Sequence, residues 1–273
     1  MNRSKKLFNI STLVYVCLVY LFLYLPIFVL VLFSFNSSKL NINFEGFTLK
    51  WYGELFSNGP LLEALKNTMI VAFFSTLVSG IIGTIAAVGM YRYSFKGKSV
   101  IDSLLYVPVV IPEIVLGISL LSFFSLIKID LGLFSLVLAH ATFSIPFVVI
   151  TVRSRLSGFD KSIEEAAMDL GASRLKTFLK VTLPVIWPGV MSGVLLAFTL
   201  SLDDVIISFF TTGPQSNTLP LKIFSMVKTG VTPDVNALST LMLVATFMVV
   251  GAAQYIQIKK EKSLNYNNDD SVK

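Results

Sequence analysis

The sequence predicts an all-α integral membrane protein, with six transmembrane helices and a helical loop on the cytoplasmic side. Three observations carry that expectation. Only 14% of the 273 residues are charged, against about 25% in a soluble domain. Mean hydropathy is +0.77. The apolar residues also gather into six runs, each long enough for a helix to cross a bilayer, which takes about 20 residues.

The runs cover 12–35, 68–90, 104–126, 131–152, 187–210 and 236–256. Lipid offers the backbone no hydrogen bonds, so only helices or closed barrels cross it. These runs are too long and too evenly apolar for barrel strands. Arg3, Lys5 and Lys6 precede the first run, as in a signal peptide. The run exceeds an h-region and lacks a small-x-small cleavage site, so it reads as an uncleaved first span. Pro108 and Pro112 should kink the third span. Gly189, Gly193 and Ala197 form a small-residue face for helix packing on the fifth.

Basic residues set the orientation. With the N-terminus inside, sixteen Lys and Arg fall in cytoplasmic segments and six outside. That asymmetry favours both termini in the cytoplasm. The organisation expected is a cytoplasmic N-terminus at 1–11, a six-span membrane body at 12–258, and a polar cytoplasmic tail at 259–273. The net charge of +6 does not indicate nucleic acid, because the basic residues sit in short segments between apolar runs. Trp51 and Tyr52 lie in the first outside loop, as part of an interfacial amphipathic helix or as ordinary loop aromatics.

Several residue types exclude functions. The single cysteine, Cys17, allows no intrachain disulfide and no cysteine-based zinc cluster. The single histidine, His140, has no supporting carboxylate near it in sequence and reads as a packed or interhelical hydrogen-bonding residue. Gly97-Lys98-Ser99 imitates the end of a P-loop, but Arg92 stands where the motif needs its first glycine. No nucleotide site is expected in this chain, and no metal site.

The inside loop 153–186 is too long for a simple connector. It contains Ser162-Ile163-Glu164-Glu165-Ala166-Ala167-Met168-Asp169-Leu170-Gly171. Ser162 and Glu165 have capping-box spacing, and Gly171 is the expected left-handed stop. A second helix should run from about Ser173 and end at Pro184. Ala166 and Ala167 would let a partner approach the helix closely, Glu165 offers a charge at the rim, and Leu170, Leu175 and Phe178 are candidate anchors.

Glu165-Ala166-Ala167, three residues, Gly171, nine residues, then Val181-Thr182-Leu183-Pro184 resembles the EAA loop of binding-protein-dependent ABC-importer permeases. Only Val181 departs from the pattern, standing in place of isoleucine. The stretch 61–68 is similar to the start of the permease core shared across that superfamily, and 111–117, 201–208, 218–227 and 236–240 are similar to permeases of spermidine/putrescine importers. The resemblance implies a type I importer permease. Its partners would be a sister permease, two ATPase subunits that bind the ATP and Mg, and an extracytoplasmic polyamine-binding protein. It also implies that Glu165, Ala166, Ala167, Gly171, Leu183 and Pro184 dock the ATPase, in a multi-pass protein of the bacterial cytoplasmic membrane.

Glu113, Asp203 and Asp204 are the acids set within the apolar runs. Carboxylates there cost about 2.5–3.5 kcal/mol on insertion scales and usually face a polar path. They are the expected substrate path, with one aspartate lining it and the other bonded to a neighbouring helix. Other readings are an importer permease for a ferric ion, thiamine or a phosphonate, and an ion-coupled secondary carrier. An intramembrane enzyme lacks a defensible serine–histidine or metal cluster.

Overall fold

A computed structural model describes residues 3–39, 43–226, 232–248, 251 and 255. The tail expected at 259–273 and Lys228 lie outside the described residues, as does part of the sixth run. The described chain is helical and divides into two compact units.

The first unit holds α1 (Arg3–Phe33), the short α2 (Lys50–Leu55) and the apolar helix Pro233–Met248, here α12. α1 exposes its apolar side chains, Phe22 by 77%, as a lipid-facing helix does. Trp51 is buried, and its indole N–H donates to the Asn36 carbonyl at 2.5 Å. The Tyr52 hydroxyl meets Ser34 Oγ at 2.8 Å. These two aromatics therefore sit on a short helix packed into its own unit, and Asn58 Nδ2 donates to Asp234 at the start of α12.

The second unit contains the remaining helices: α3 (Gly59–Arg92), α4 (Lys98–Val110), α5 (Glu113–Leu126), α6 (Leu133–Leu156), α7 (Ser162–Asp169), α8 (Arg174–Thr177), a π-turn (Phe178–Thr182), α9 (Leu183–Asp203), α10 (Ile206–Thr211) and α11 (Leu219–Met226). Its centre is α6 packed on α9, with α3 alongside. A Cβ on Gly189 would stand 2.7 Å from Arg155 Cβ, and one on Gly193 3.2 Å from Val148 Cα. The small-residue face of the fifth run thus allows the close approach expected of it. Val148, Val152, Leu156 and Ile186 are wholly buried between these helices.

Among the described residues, four of the expected spans appear as single helices, a fifth counts only if a bent pair is one span, and the described part of the sixth run is the shorter α12. These four are Ser11–Phe33, Gly59–Arg92, Leu133–Leu156 and Arg174–Asp203, each long and apolar enough to cross a membrane. The third run is not a kinked span but a pair, α4 and α5, bent by 112°. Pro112 is the cause. It forces Ile111 out of the helical region, to φ −71°, ψ 144°, and is itself extended. Pro108, by contrast, lies inside α4. The fifth run also breaks, at Asp204, whose backbone is extended between α9 and α10.

Pro184 does not end a helix. The chain continues from Arg174 to Asp203. Proline lacks an N–H and crowds the carbonyl four residues back, and a π-turn immediately before it absorbs the misfit. The Leu183 N–H reaches past the usual acceptor to Phe178 O, a five-residue step.

Candidate functional site

Two regions of the second unit concentrate polar groups. The first is the loop helix α7. Gly171 adopts φ +84°, the left-handed stop the sequence leads one to expect. Its N–H donates to Met168 O at 2.9 Å and the Ala172 N–H to Ala167 O at 3.1 Å, the paired bonds of a Schellman cap. The N-terminus differs from expectation. Ser162 and Glu165 do not form a capping box, because Lys161 is already helical. Asp160 caps instead, accepting the Ser162 N–H at 2.9 Å. That backbone bond holds the exposed Asp160 carboxyl below its usual range.

The loop presents Glu165 and Ala166 to the surface, with Ala167 half-buried. Leu170 is 90% and Leu175 67% exposed, so these two do not anchor the helices to the body. Phe178 does, packing against the core beside Leu183. Pro184 is exposed in the first turn of α9.

The acid that ties α7 down is Glu164, the residue before the EAA sequence. It is 8% exposed. Arg92 Nη2, from the last residue of α3, donates to Glu164 Oε1 at 2.5 Å. The Thr182 hydroxyl donates to the same oxygen. Sequence reasoning passed over Glu164 because its partners come from distant segments. The available signal was helical phase, since Glu164 lies about 200° round the helix from Ala166 and so turns inward where Ala166 faces out.

The second region is a cavity of about 280 Å³ lined by Glu113, Asp203, Asp204, Phe143 and Leu200, with Val205 and Ile206. The structure thus brings together all three acids singled out from the sequence. Glu113 opens α5 at the 112° bend and is exposed. Gly117 places α5 against α10, where a Cβ would stand 2.6 Å from the Phe210 ring. Asp203 ends α9 and is exposed.

Asp204 is held differently. Its two oxygens accept the Ile207 N–H at 3.1 Å and the Ser208 N–H at 2.7 Å. His140 Nε2 is 3.4 Å from Asp204 Oδ2 and 3.0 Å from Ser208 Oγ. His140 Nδ1 meets Ser201 Oγ at 2.7 Å, and Ser75 donates to Ser201 at 3.2 Å. His140 thus turns Nδ1 to Ser201 and Nε2 to Asp204 and Ser208. His140 is therefore an interhelical hydrogen-bonding residue, as the sequence suggested. Its carboxylate partner was hidden by sequence distance.

Residues 79–258 match the family model for the binding-protein-dependent transport system inner membrane component. The chain is 49% identical over 244 residues to the spermidine/putrescine transport system permease protein PotC of Escherichia coli K12, covering 89% of this chain and 92% of that protein. It is 43% identical over 248 residues to the putrescine transport system permease protein PotI of the same strain, covering 88% of each. A bacterial ABC transporter involved in importing the acidic polysaccharide alginate shares the fold, with a TM-score of 0.74 over 93% of this chain and 98% of that one at 16% identity. The chain belongs to the family of binding-protein-dependent inner-membrane transport components: it is a multi-pass permease subunit of an ABC importer, with the type I permease fold, and not an enzyme.

Proposed function

We propose that this permease carries the polyamines spermidine and putrescine inward, received from an extracytoplasmic polyamine-binding protein. The observation that carries the reading is the convergence of Glu113, Asp203 and Asp204 on one cavity that also presents Phe143 and Leu200. A polyamine is a chain of ammonium groups separated by methylenes. Leaving water, each ammonium needs an anionic partner, and each spacer needs an apolar or aromatic wall. Because Asp204 is engaged by His140 and by α10, Glu113 and Asp203 are the carboxylates that meet the cargo. Two separated acids bind a polycation without trapping it. The 49% identity to a spermidine/putrescine permease supports the same cargo.

In this reading the permease pairs with a sister permease and two ATPase subunits. Those subunits bind the ATP and Mg, and this chain binds no cofactor. α7 docks on one ATPase through Glu165, Ala166 and Ala167, with Leu170 and Leu175 as apolar contacts beside them. Gly171 sets the turn, while Leu183 and Pro184 shape the exit into α9. Both termini and the 153–186 loop face the cytoplasm. Closure of the ATPases moves α7, and the spans turn the cavity from one side of the membrane to the other.

The test is uptake of labelled spermidine and putrescine into vesicles carrying the complete importer, with and without its ATPase. Uptake that depends on ATP and on the binding protein is expected. A complex that ignores both polyamines and carries an anion overturns the cargo and leaves the permease.

A further inference from the structure

Three polar groups, the buried Glu164 and Thr182 and the half-buried Arg92, meet at the root of the loop, and docking alone gives them no role. Arg92 ends α3, Glu164 lies in α7, and Thr182 ends the π-turn. Besides its bond to Glu164, Arg92 Nη2 donates to Thr182 Oγ1 at 2.8 Å. Thr182 in turn donates to the Glu164 carboxylate. Thr182 is fully buried. The Arg92 guanidinium also lies over the Phe178 ring, 5.9 Å from its centroid. Arg92 therefore holds both ends of the π-turn, Phe178 and Thr182, together with the loop helix.

We propose that Arg92, Glu164 and Thr182 form the joint that passes displacement of α7 to α3 and α9, with the π-turn as its flexing element. The proposal rests on the reading of α7 as the ATPase-docking helix. An eight-residue helix on two turns moves spans only if something stiffer than those turns attaches it. A largely enclosed Arg–Glu pair sharing a hydroxyl is directional, and parting it leaves the buried Glu164 carboxylate uncompensated. Next to this stiff link sits a soft one. The π-turn carries the wider five-residue hydrogen-bond step and runs into Pro184, which gives no N–H to the ladder. One arm of the hinge is α9, which carries Asp203 at its far end. The other is α3. One pull on α7 thus acts on two spans.

The complete importer in proteoliposomes tests this, with Arg92→Gln, Glu164→Gln, Thr182→Val and the reversed pair Arg92→Glu with Glu164→Arg. Three quantities are read: ATPase copurifying with the permease, hydrolysis stimulated by the binding protein, and labelled spermidine taken up per ATP. The ATPase should stay bound and basal hydrolysis persist. Uptake per ATP and stimulated hydrolysis should fall about tenfold, the scale of a typical coupling between sites. The reversed pair should recover much of both. Normal uptake per ATP in the Arg92 and Glu164 variants overturns the joint. So does loss of the ATPase from them, which would make the cluster part of the docking surface. Should the glutamine variants not assemble, Arg92→Lys keeps the charge but not the planar fork, and normal coupling in it overturns the joint equally. Ala167→Glu separates the two readings, since an ATPase still bound in that variant sinks the docking of α7 and leaves the joint to be judged by uptake per ATP.

Discussion

His140 Nε2 stands 3.4 Å from the Asp204 carboxylate, and both side chains are almost wholly removed from solvent. The same carboxylate accepts two backbone N–H groups at the start of α10. Its neighbour Asp203 is exposed. Adjacent aspartates thus do different work. The helix ends between them, and one is drawn into the protein while the other is left at the cavity.

That difference predicts opposite phenotypes. Asp204→Asn removes a charge bonded to two N–H groups and a histidine, and should destabilise the folded permease by about 1.5–3 kcal/mol, the scale of hydrogen bonds to charged groups. Asp203→Asn should leave stability within about 0.5 kcal/mol, as exposed positions do, and lower polyamine uptake. Detergent thermal shifts beside vesicle uptake separate the two. Equal destabilisation by both variants contradicts the assignment.

His140 should act through Asp204. His140→Leu strands the serine and aspartate partners and should cost about 1–3 kcal/mol. In an Asp204→Asn background the same change should cost clearly less, because one of the stranded partners no longer carries charge. A double-mutant cycle measures that coupling. Strict additivity would mean that the two residues are merely near one another.

Gly171→Val should strain the loop by about 1–2 kcal/mol, since only a left-handed backbone fits there. The space beside it is open, so the defect is conformational and not steric. Gly171→Asn, which tolerates that conformation, should keep most transport. Uptake and ATPase copurification read the outcome. Equal performance of the valine and asparagine variants removes Gly171 from the mechanism.

Orientation is tested by cysteine labelling in whole cells. Gly158 and the terminal positions Ser4 and Ser271 should be reached only from the cytoplasm. Ser57 and Asn217 should be reached from outside. Reversed labelling of Gly158 overturns the charge-based topology.

Local chemistry made much of this legible in the sequence. The loop helix, its glycine stop and the apolar runs depend on neighbours within a few residues, where composition and spacing speak directly. The acids Glu113, Asp203 and Asp204 stood out because carboxylates are rare in apolar runs. What stayed hidden depends on distant partners. Nothing near His140 in the chain announces Asp204, and nothing near Glu164 announces Arg92. Proline misled in both directions. Pro184 lies within a continuous helix because a π-turn makes room for it. Pro112 produces a bend of 112°, where a kink was expected, because Ile111 and Pro112 are both extended.

The central claim is that Glu113 and Asp203 carry the cargo's charge across the membrane. Its most direct test is labelled spermidine uptake by the complete importer bearing Glu113→Gln and Asp203→Asn together. The account predicts at least about a tenfold loss of uptake, since each lost charged contact is worth roughly 1.5–3 kcal/mol. Assembly, and the affinity of the binding protein for spermidine, should be unchanged. Uptake at the wild-type rate by that variant would contradict it.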